Sequence, residues 1–375
     1  MSTTKMINRI SATIIADSKN NNGERITTFI LVYPRCLHSE IMTHRMFSRN
    51  AASSRAVPFL KLIDSIKENP FIPIAWQKEH SGMQGTEYVT DPERIKLLEE
   101  EWLEARDHAI LHATRIGSGE VASDDSNEFE VIPVTKQLCN RLLEPYQYYT
   151  TIVTATDFEN FFSLRCPIYN CGSSRLCFRS RKDFVAFYNK TSTPENQMKI
   201  DDFDQYHWFS LNKGMAEIHL MDLAEKMWDL YNEHEPKLLE PGQWHIPFGD
   251  NIDYEKLGEA TAEYYIVNNP SEEIDVNKWL IKVATARCAR VSYTVVGEEG
   301  KKVNYKNDFD LHDRLSNAGH WSCFEHCARA FTKQEEYDIR NGILNYYMNG
   351  SGTRYSGNFK GFVQYRKTFE NENKK

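Results

Sequence analysis

Residues Arg25–Pro34 read RITTFILVYP, and residues Thr43–Arg55 shortly after them read THRMFSRNAASSR. The first stretch is rich in β-branched and aromatic residues, which predicts a strand that Pro34 ends. Residues Leu37–Asn50 are predicted to form a helix or a helix-like turn. A dense polar segment therefore follows directly on an apolar strand.

Outward from this stretch, the hydrophobic spacing predicts helices and strands in mixed order. We expect a polar turn at 17–24, an irregular segment at 56–90, helix Asp91–Ile116, strand Tyr146–Val153, a helix from a capping box at Thr156 to Arg165, and helices Met215–Tyr231 and Asp310–Ala318. Residues 167–205 resemble an insertion of mixed charge. The tail 341–375 is expected to cover a surface.

The composition excludes several classes of protein. A net charge of −8 disfavours broad binding to a nucleic-acid polymer, so any anion must meet a local arginine cluster. The chain has no run of roughly 18 apolar residues that could span a membrane, and its first residues lack the apolar core of a signal peptide. We therefore expect a cytoplasmic protein with no membrane partner, whose eight cysteines are reduced.

The segment Thr43–Arg55 is the densest polar cluster in the chain. It contains three Arg, one His, three Ser and one Asn. Guanidinium groups bind phosphates bidentately and hydroxyl groups add further donors, so a phosphorylated ligand is the expected guest. The alternative is a solvated, arginine-rich helix end.

Two further clusters each have a functional and a purely structural interpretation. In Asn160–Arg165, NFFSLR, an aromatic pair is flanked by two polar residues about 140° apart on a helix. The arrangement predicts that Arg165 faces a pocket, against the alternative of a surface ion pair. In Gly319–Cys327, GHWSCFEHC, the spacing does not match a usual zinc site, so we expect no metal.

Other catalytic signals are weak. Cys166 follows Arg165 and is a candidate nucleophile, but nothing near it in sequence indicates an activated thiol, and a free buried cysteine is the favoured interpretation. The chain contains neither a Walker-type phosphate loop nor a GxGxxG after a strand.

The segment Thr43–Arg55 resembles the signature of flavin-dependent thymidylate synthases, RHRxxSxNxxSxR. Six of its seven fixed positions match, and Thr43 replaces the first arginine. Other stretches are similar to further motifs of that family: NFFSLR and AEIHLMDLAEKM to its helix pair, RLLEP at 141–145 to RxxLP, CARVSY to AARVSY, and GHWSCFEH to GHxSPFEH.

The order of these motifs differs from the usual layout of the family. The ARVSY-like and GHxSPFEH-like motifs normally precede the RHR signature, whereas here they lie at 289–293 and 319–326. We therefore predict a circularly permuted chain, which requires residues 320–332 to lie near residues 26–45.

The resemblance implies the family's α/β (α+β) fold, a central antiparallel sheet flanked by helices, formed here by one domain over residues 1–375. It also implies flavin-dependent methylation of dUMP to dTMP. FAD would be the cofactor, NADPH the reductant and methylenetetrahydrofolate the carbon donor, in a homotetramer whose sites draw on several subunits.

Carried over by position, the resemblance also implies the site residues. Arg165 would be catalytic and would promote ionisation of the uracil at N3. The flavin contacts would be Thr43, His44, Arg45, Asn160 and His326, and the nucleotide contacts would be Glu40, Ser53, Arg55, Arg141 and Arg165.

Departures from the pattern leave alternatives open. Thr43 removes a guanidinium near the flavin, Glu40 and Ala51 stand where many members carry Gln and Glu, and Cys323 replaces the proline of SPFEH. The enzyme could instead be a hydroxymethylase of dUMP or dCMP. A nucleotide-binding homologue without catalysis is a further alternative, and a thiolate enzyme using Cys166 is the last.

Overall fold

A computed structural model describes residues 9–53, 55–81, 85, 87–120, 131–170, 176–203, 205–268, 275–293, 304–343 and 357–372. The strands in this part are β1 (Ser11–Asn20), β2 (Arg25–Pro34), β3 (Ser48–Ala51), β4 (Tyr148–Ala155), β5 (Tyr169–Asn170), β6 (Cys177–Phe178), β7 (Lys237–Leu239), β8 (Trp244–His245), β9 (Ala328–Ala330) and β10 (Phe362–Gln364).

The α-helices in the same ranges are α1 (His38–Ile41), α2 (Phe59–Glu68), α3 (Pro92–Ser118), α4 (Lys136–Cys139), α5 (Glu159–Arg165), α6 (Arg181–Thr191), α7 (Gln205–Leu211), α8 (Ile218–Glu233), α9 (Tyr254–Asn268), α10 (Val276–Arg290), α11 (Tyr305–Asn317) and α12 (Lys333–Arg340). None of these described helices combines the length and the apolar character that crossing a bilayer requires.

The central sheet has five strands in the order β3-β4-β2-β1-β7. Its first four strands pair antiparallel, and β7 adds to β1 in parallel. In the longest ladder Leu31 of β2 lies opposite Thr151 of β4, and Pro34 lies opposite Tyr148. The expected antiparallel sheet is therefore confirmed, and strand β2 has the predicted bounds.

Helices cover both faces of this sheet. On one face, Phe29 and Val153 pack against α5 and α8 in the largest hydrophobic cluster. On the other face, Ile30 and Ile152 pack against α10 and α11. Because side chains alternate along a strand, β2 and β4 supply both layers with apolar residues. The mixed α/β fold, a sheet flanked by helices, is confirmed.

The region expected to be an insertion forms a small core of its own on α8. Tyr169, Phe184 and Phe203 pack with Ile218 and Met221 at the beginning of that helix. An ion pair also ties the region to α8: the Arg181 guanidinium contacts the buried Glu225 carboxylate at 2.8 Å. A buried carboxylate needs such a partner, so this pair fixes where the segment lies on α8.

The described part of the tail belongs to the core. Phe359 and Phe362 are fully buried and pack with Ile26, and β10 pairs antiparallel with β9. The expectation that the tail covers a surface therefore does not hold for residues 357–372. Residues 344–356 lie outside the described residues.

Several predicted bounds are wrong. The expected turn at 17–24 begins later, because residues 17–20 continue β1; residues 17–19 pair with β2 and Asn20 pairs with β7. Only His38–Ile41 is α-helical in the segment 37–50, and Ser48–Ala51 instead forms the edge strand β3. The segment 56–90 contains the helix α2. For β3 the pairing partner is β4, about 100 residues further along the chain, and local spacing does not reveal it.

Capping residues predicted the beginnings of two helices, α3 and α5, and the structure confirms only the first of these caps. Helix α3 is confirmed, with the Asp91 carboxylate accepting a hydrogen bond from Arg94 N–H and Gly119 ending the helix at φ 81°. At α5 the predicted capping box does not form. The Thr156 hydroxyl donates to the Asn358 carbonyl of the tail, and Asp157 accepts from Glu159 N–H instead.

The packing predicts a large cost for truncating Phe29, which is fully buried and meets Phe158 edge to face. Phe29→Ala should lower the free energy of unfolding by about 3–5 kcal/mol, because it removes the ring and leaves a cavity. Leu60→Ala on α2, where the side chain is 71% exposed, is the control and should change it by no more than about 0.5 kcal/mol. Urea unfolding of both variants measures the difference, and equal midpoints would contradict this packing.

Candidate active site

Glu40, His44 and Arg165 form a hydrogen-bonded cluster on the face of the sheet that α5 covers. The Arg165 guanidinium donates from Nη1 to the Glu40 carboxylate at 3.1 Å and from Nε to His44 Nε2 at 3.1 Å. Glu40 lies on α1 and His44 lies in the turn after it, whereas Arg165 ends α5. The fold therefore joins two sequence motifs that are about 120 residues apart.

His44 is held as a neutral hydrogen-bond acceptor. Its ring is buried and packs edge to face on Phe161 at 4.9 Å between centroids. Because Nε2 accepts the Arg165 hydrogen, the ring proton of this neutral histidine lies on Nδ1. Burial, with the nearby charges of Arg165 and Arg49, lowers the pKa of His44 to about 4. The ring is therefore uncharged at neutral pH.

The pKa of Glu40 shifts in the opposite direction from that of His44, and this shift also favours the uncharged form. Burial raises the pKa of its carboxyl group above the ordinary value, the Arg165 charge opposes that rise, and Glu217 adds to it. The side chain is 37% exposed, so it remains open to a ligand. The cluster thus presents one guanidinium, one carboxyl group of raised pKa and one neutral imidazole.

The other residues expected near the flavin surround this cluster without joining its hydrogen bonds. Thr43 is exposed, and its hydroxyl donates to the Glu40 carbonyl at 2.7 Å, which closes the turn after α1. Arg45 and Asn160 are exposed, and neither side chain bonds to another described residue. As predicted from the sequence, Asn160 and Arg165 flank the buried Phe161 and Phe162 on α5.

The residues expected at the nucleotide end are more dispersed. Ser53 follows β3, and its N–H donates to the Ser292 carbonyl at 3.1 Å. Arg55 and Arg141 are exposed and form no ion pair with a described residue. None of the three contacts Glu40, His44 or Arg165, so within one chain the structure does not bring the nucleotide set together.

His326 lies on the opposite face of the sheet from the Arg165 cluster. Its ring is fully buried and its Nδ1 hydrogen-bonds to the Thr154 hydroxyl at 2.8 Å. Nε2 has no hydrogen-bond partner among the described residues. Burial, with the nearby His245, lowers the pKa of His326 to about 3, so the ring is neutral.

The ARVSY-like and GHWSCFEH motifs both lie against the edge strand β3. The Asn50 amide donates to the Cys288 carbonyl at 2.6 Å and accepts from the Ser322 hydroxyl at 3.2 Å. Farther along, Ala328 and Ala330 share a hydrophobic cluster with Ile26. Residues 320–332 thus lie near 26–45, as a permuted chain requires, and the permutation itself stays a prediction.

A cavity of about 350 Å³ opens between β3 and these motifs. Its polar lining is Asn50, Ser292, Arg314, His320 and Ser322. Ligand pockets range from about 300 to 1,000 Å³, so the volume of this cavity lies at the lower end of that range. Sequence reasoning did not assign Ser292, Arg314, His320 or Ser322, although three of them lie in or beside the two quoted motifs.

The cavity and the Arg165 cluster lie on opposite faces of β3. Asn50 points to the cavity, whereas Arg49 on the same strand points to the turn after α1.

The geometry disfavours Cys166 as a nucleophile. Its side chain is 3% exposed, and its thiol donates to the Ala224 carbonyl at 3.5 Å. Burial raises the pKa of this thiol far above its usual range, so the reactive thiolate is suppressed. Among the described residues, no group of three or more His, Cys, Asp and Glu side chains converges as metal ligands do.

No protein-family model and no curated protein matches the sequence. Two solved structures of the UMP/dUMP methylase PolB from Streptomyces cacaoi are similar to this chain. The one bound with 5-Br dUMP is 11% identical, covers 61% of this chain and 92% of its own, and has a TM-score of 0.37. The one bound with 5-Br UMP is 14% identical, covers 53% and 95%, and has a TM-score of 0.34.

The cluster predicts an unusual titration of His44. Imidazole NMR should give it a pKa of about 4, and Arg165→Met should raise that pKa by removing a neighbouring charge. The neutral ring, and the hydrogen bond that it accepts, should be present above this pKa and lost as the pH falls through it. A wild-type pKa near 6.5 would contradict the buried acceptor role.

Proposed function

We propose that this chain is a flavin-dependent thymidylate synthase, which transfers a one-carbon unit to C5 of dUMP. The observation that carries the proposal is the contact of Arg165 with Glu40 and His44. The resemblance assigns Glu40 and Arg165 to the nucleotide and His44 to the flavin. Their side chains, which come from separate motifs, lie within hydrogen-bonding distance of one another.

Arg165 is the proposed catalytic residue. Loss of the N3 proton makes the uracil ring an anion, and a fixed guanidinium beside the ring stabilises that anion and lowers the pKa of the imide. His44 and Glu40 hold Nε and Nη1, which fixes the plane of the guanidinium. Nη2 forms no hydrogen bond with a described residue, so it is the nitrogen offered to the base.

The ionised ring attacks the carbon donor from C5, so no enzyme thiolate is needed. This agrees with the buried, protonated state of Cys166. Methylenetetrahydrofolate is the proposed carbon donor and NADPH the proposed reductant. Glu40, Ser53, Arg55 and Arg141 are the proposed nucleotide contacts beside Arg165.

The exposed donors fit the phosphate-bearing part of FAD. Arg45 is a solvent-exposed guanidinium group without a described ion-pair partner, and such a group binds phosphates bidentately. FAD, when bound, supplies the hydride that completes the methyl group. Thr43, His44, Arg45 and Asn160 would hold it. His326 fits less well, because its ring is enclosed on the opposite face of the sheet.

A homotetramer would complete the site. The side chains of Arg45, Arg55, Arg141 and Asn160 are exposed and form no hydrogen bond or ion pair with the Arg165 cluster of their own chain. Assembly would place these groups of one subunit against the cluster of another. The number of polar groups that remain unengaged in one chain supports this part of the proposal.

Glu40 favours a second candidate within the same chemistry, a hydroxymethylase of dUMP or dCMP. A carboxylate accepts a hydrogen bond from the exocyclic amine of cytosine, and Glu40 lies beside the proposed catalytic guanidinium. The mass of the product formed from each nucleotide separates methyl from hydroxymethyl transfer and uracil from cytosine.

The first experiment is the visible spectrum of the purified protein with FAD, NADPH and dUMP. We expect a bound-flavin spectrum that bleaches with NADPH, responds to dUMP and, with methylenetetrahydrofolate, yields dTMP. Bound flavin and dUMP with no product of any kind would favour the non-catalytic homologue. Absence of flavin binding in the assembled protein would overturn the proposed function.

Arg165→Ala provides the mechanistic test. Turnover should fall by about 10²–10³-fold, because the variant loses the charge that stabilises the base anion, while FAD stays bound. Cys166→Ala is the matched control at the next position and should keep the wild-type rate. Turnover of Arg165→Ala at the wild-type rate would remove Arg165 from its assigned role.

A further inference from the structure

Arg49 clamps the turn that carries Thr43 and His44. Its Nη1 atom donates to three backbone carbonyls, those of Met42 at 2.8 Å, His44 at 3.2 Å and Ile41 at 3.4 Å. The residue lies on the short edge strand β3 and reaches back across the loop that precedes it. These bonds fix the guanidinium next to Thr43.

Two of the three nitrogens of this guanidinium form no hydrogen bond with a described residue. Nε and Nη2 of Arg49 donate to no described residue, and no carboxylate of the described chain lies within the 4.0 Å of an ion pair. The side chain is nevertheless half-buried, and that burial is the main cause that lowers the pKa of Arg49. A partly desolvated cation without an ion-pair partner attracts an anion to the remaining donors.

Arg49 is a half-buried cation that no neighbouring carboxylate pairs with, and Arg45 in the same turn is exposed to solvent. The charge of Arg165 is offset by Glu40 at 3.1 Å, and His44 is neutral at physiological pH. Glu325 acts on Arg49 only at longer range, and its carboxylate is already paired with Arg366 at 2.6 Å. An anionic group beside Thr43 would therefore find the Arg49 guanidinium without a compensating carboxylate.

We infer that Arg49 supplies, from strand β3, the guanidinium that position 43 lacks, and that it contacts an anionic group of the bound nucleotide or dinucleotide. The inference rests on the proposed function, because the signature places an arginine where this chain has Thr43. Position 49 is unassigned in that signature. The Arg49 guanidinium, which comes from β3, thus lies at the turn that carries Thr43.

The competing explanation is a purely structural clamp, in which Arg49 only holds the turn. Moving the guanidinium from position 49 to position 43 by a double substitution distinguishes the two explanations. In Thr43→Arg/Arg49→Gln the guanidinium returns to the turn, but the three carbonyl contacts made from β3 do not. A clamp is not restored by this double variant, whereas an anion contact is.

The test measures the binding of dUMP, FAD and inorganic pyrophosphate by calorimetry to the full-length protein and its variants. Arg49→Gln should weaken binding of at least one of these ligands by about 10- to 100-fold, the usual effect of losing one charge-assisted contact. The double variant should recover most of that loss. Arg94→Gln on the exposed face of α3 removes one charge elsewhere and should bind like the wild type.

Unchanged binding by Arg49→Gln would overturn the inference, and so would a loss that Thr43→Arg does not restore. If Arg49→Gln does not fold, Arg49→Lys replaces it in both variants, with a smaller expected loss and the same criteria. A wild type that binds pyrophosphate but neither dUMP nor FAD would end the proposed function and still test Arg49. A wild type that binds none of the three would overturn both.

Discussion

The pairing of β2 with β4 is the constraint on which the rest of this structure depends. The two strands pair over eight residues of each, from Thr27 opposite Ala155 to Pro34 opposite Tyr148, and nearly all of these side chains are buried. Two central strands that are buried on both faces require a layer of helices on each side. The α5–α8 layer and the α10–α11 layer meet this requirement. The Arg165 cluster lies on the first side of β3, and the cavity lies on the second.

Strand β3 shows how a short edge strand can serve two layers. Its four residues alternate, so Arg49 points to the α1 turn and the Arg165 cluster, whereas Asn50 points to the motifs at 289–293 and 319–326. An edge strand offers backbone and side chains that are not enclosed by a further strand. The candidate cluster and the cavity are therefore close in space but separated by one strand.

A buried hydrogen-bonded chain joins the layers on the second face. Ser18, His245, Thr28, Thr154 and His326 follow one another at 2.8–2.9 Å across β1, β2, β4 and their neighbours. Burial lowers the pKa of His245 to about 4, so it accepts and donates as a neutral ring. Buried polar groups are stable only when they are hydrogen-bonded. Within this hydrogen-bonded series of side chains, His326 Nε2 is the ring nitrogen without a partner among the described residues.

The sequence by itself determined the strand Arg25–Pro34, the helix that Asp91 begins, and the residue types that belong to the candidate site. It could do so because caps, strand composition and motifs are local signals. The tertiary structure alone decided that Ser48–Ala51 is a strand, that Phe359 and Phe362 enter the core, and that Arg165 meets Glu40 and His44 while His326 does not. Strand pairing and burial depend on partners far away in the chain, and local spacing carries no record of them.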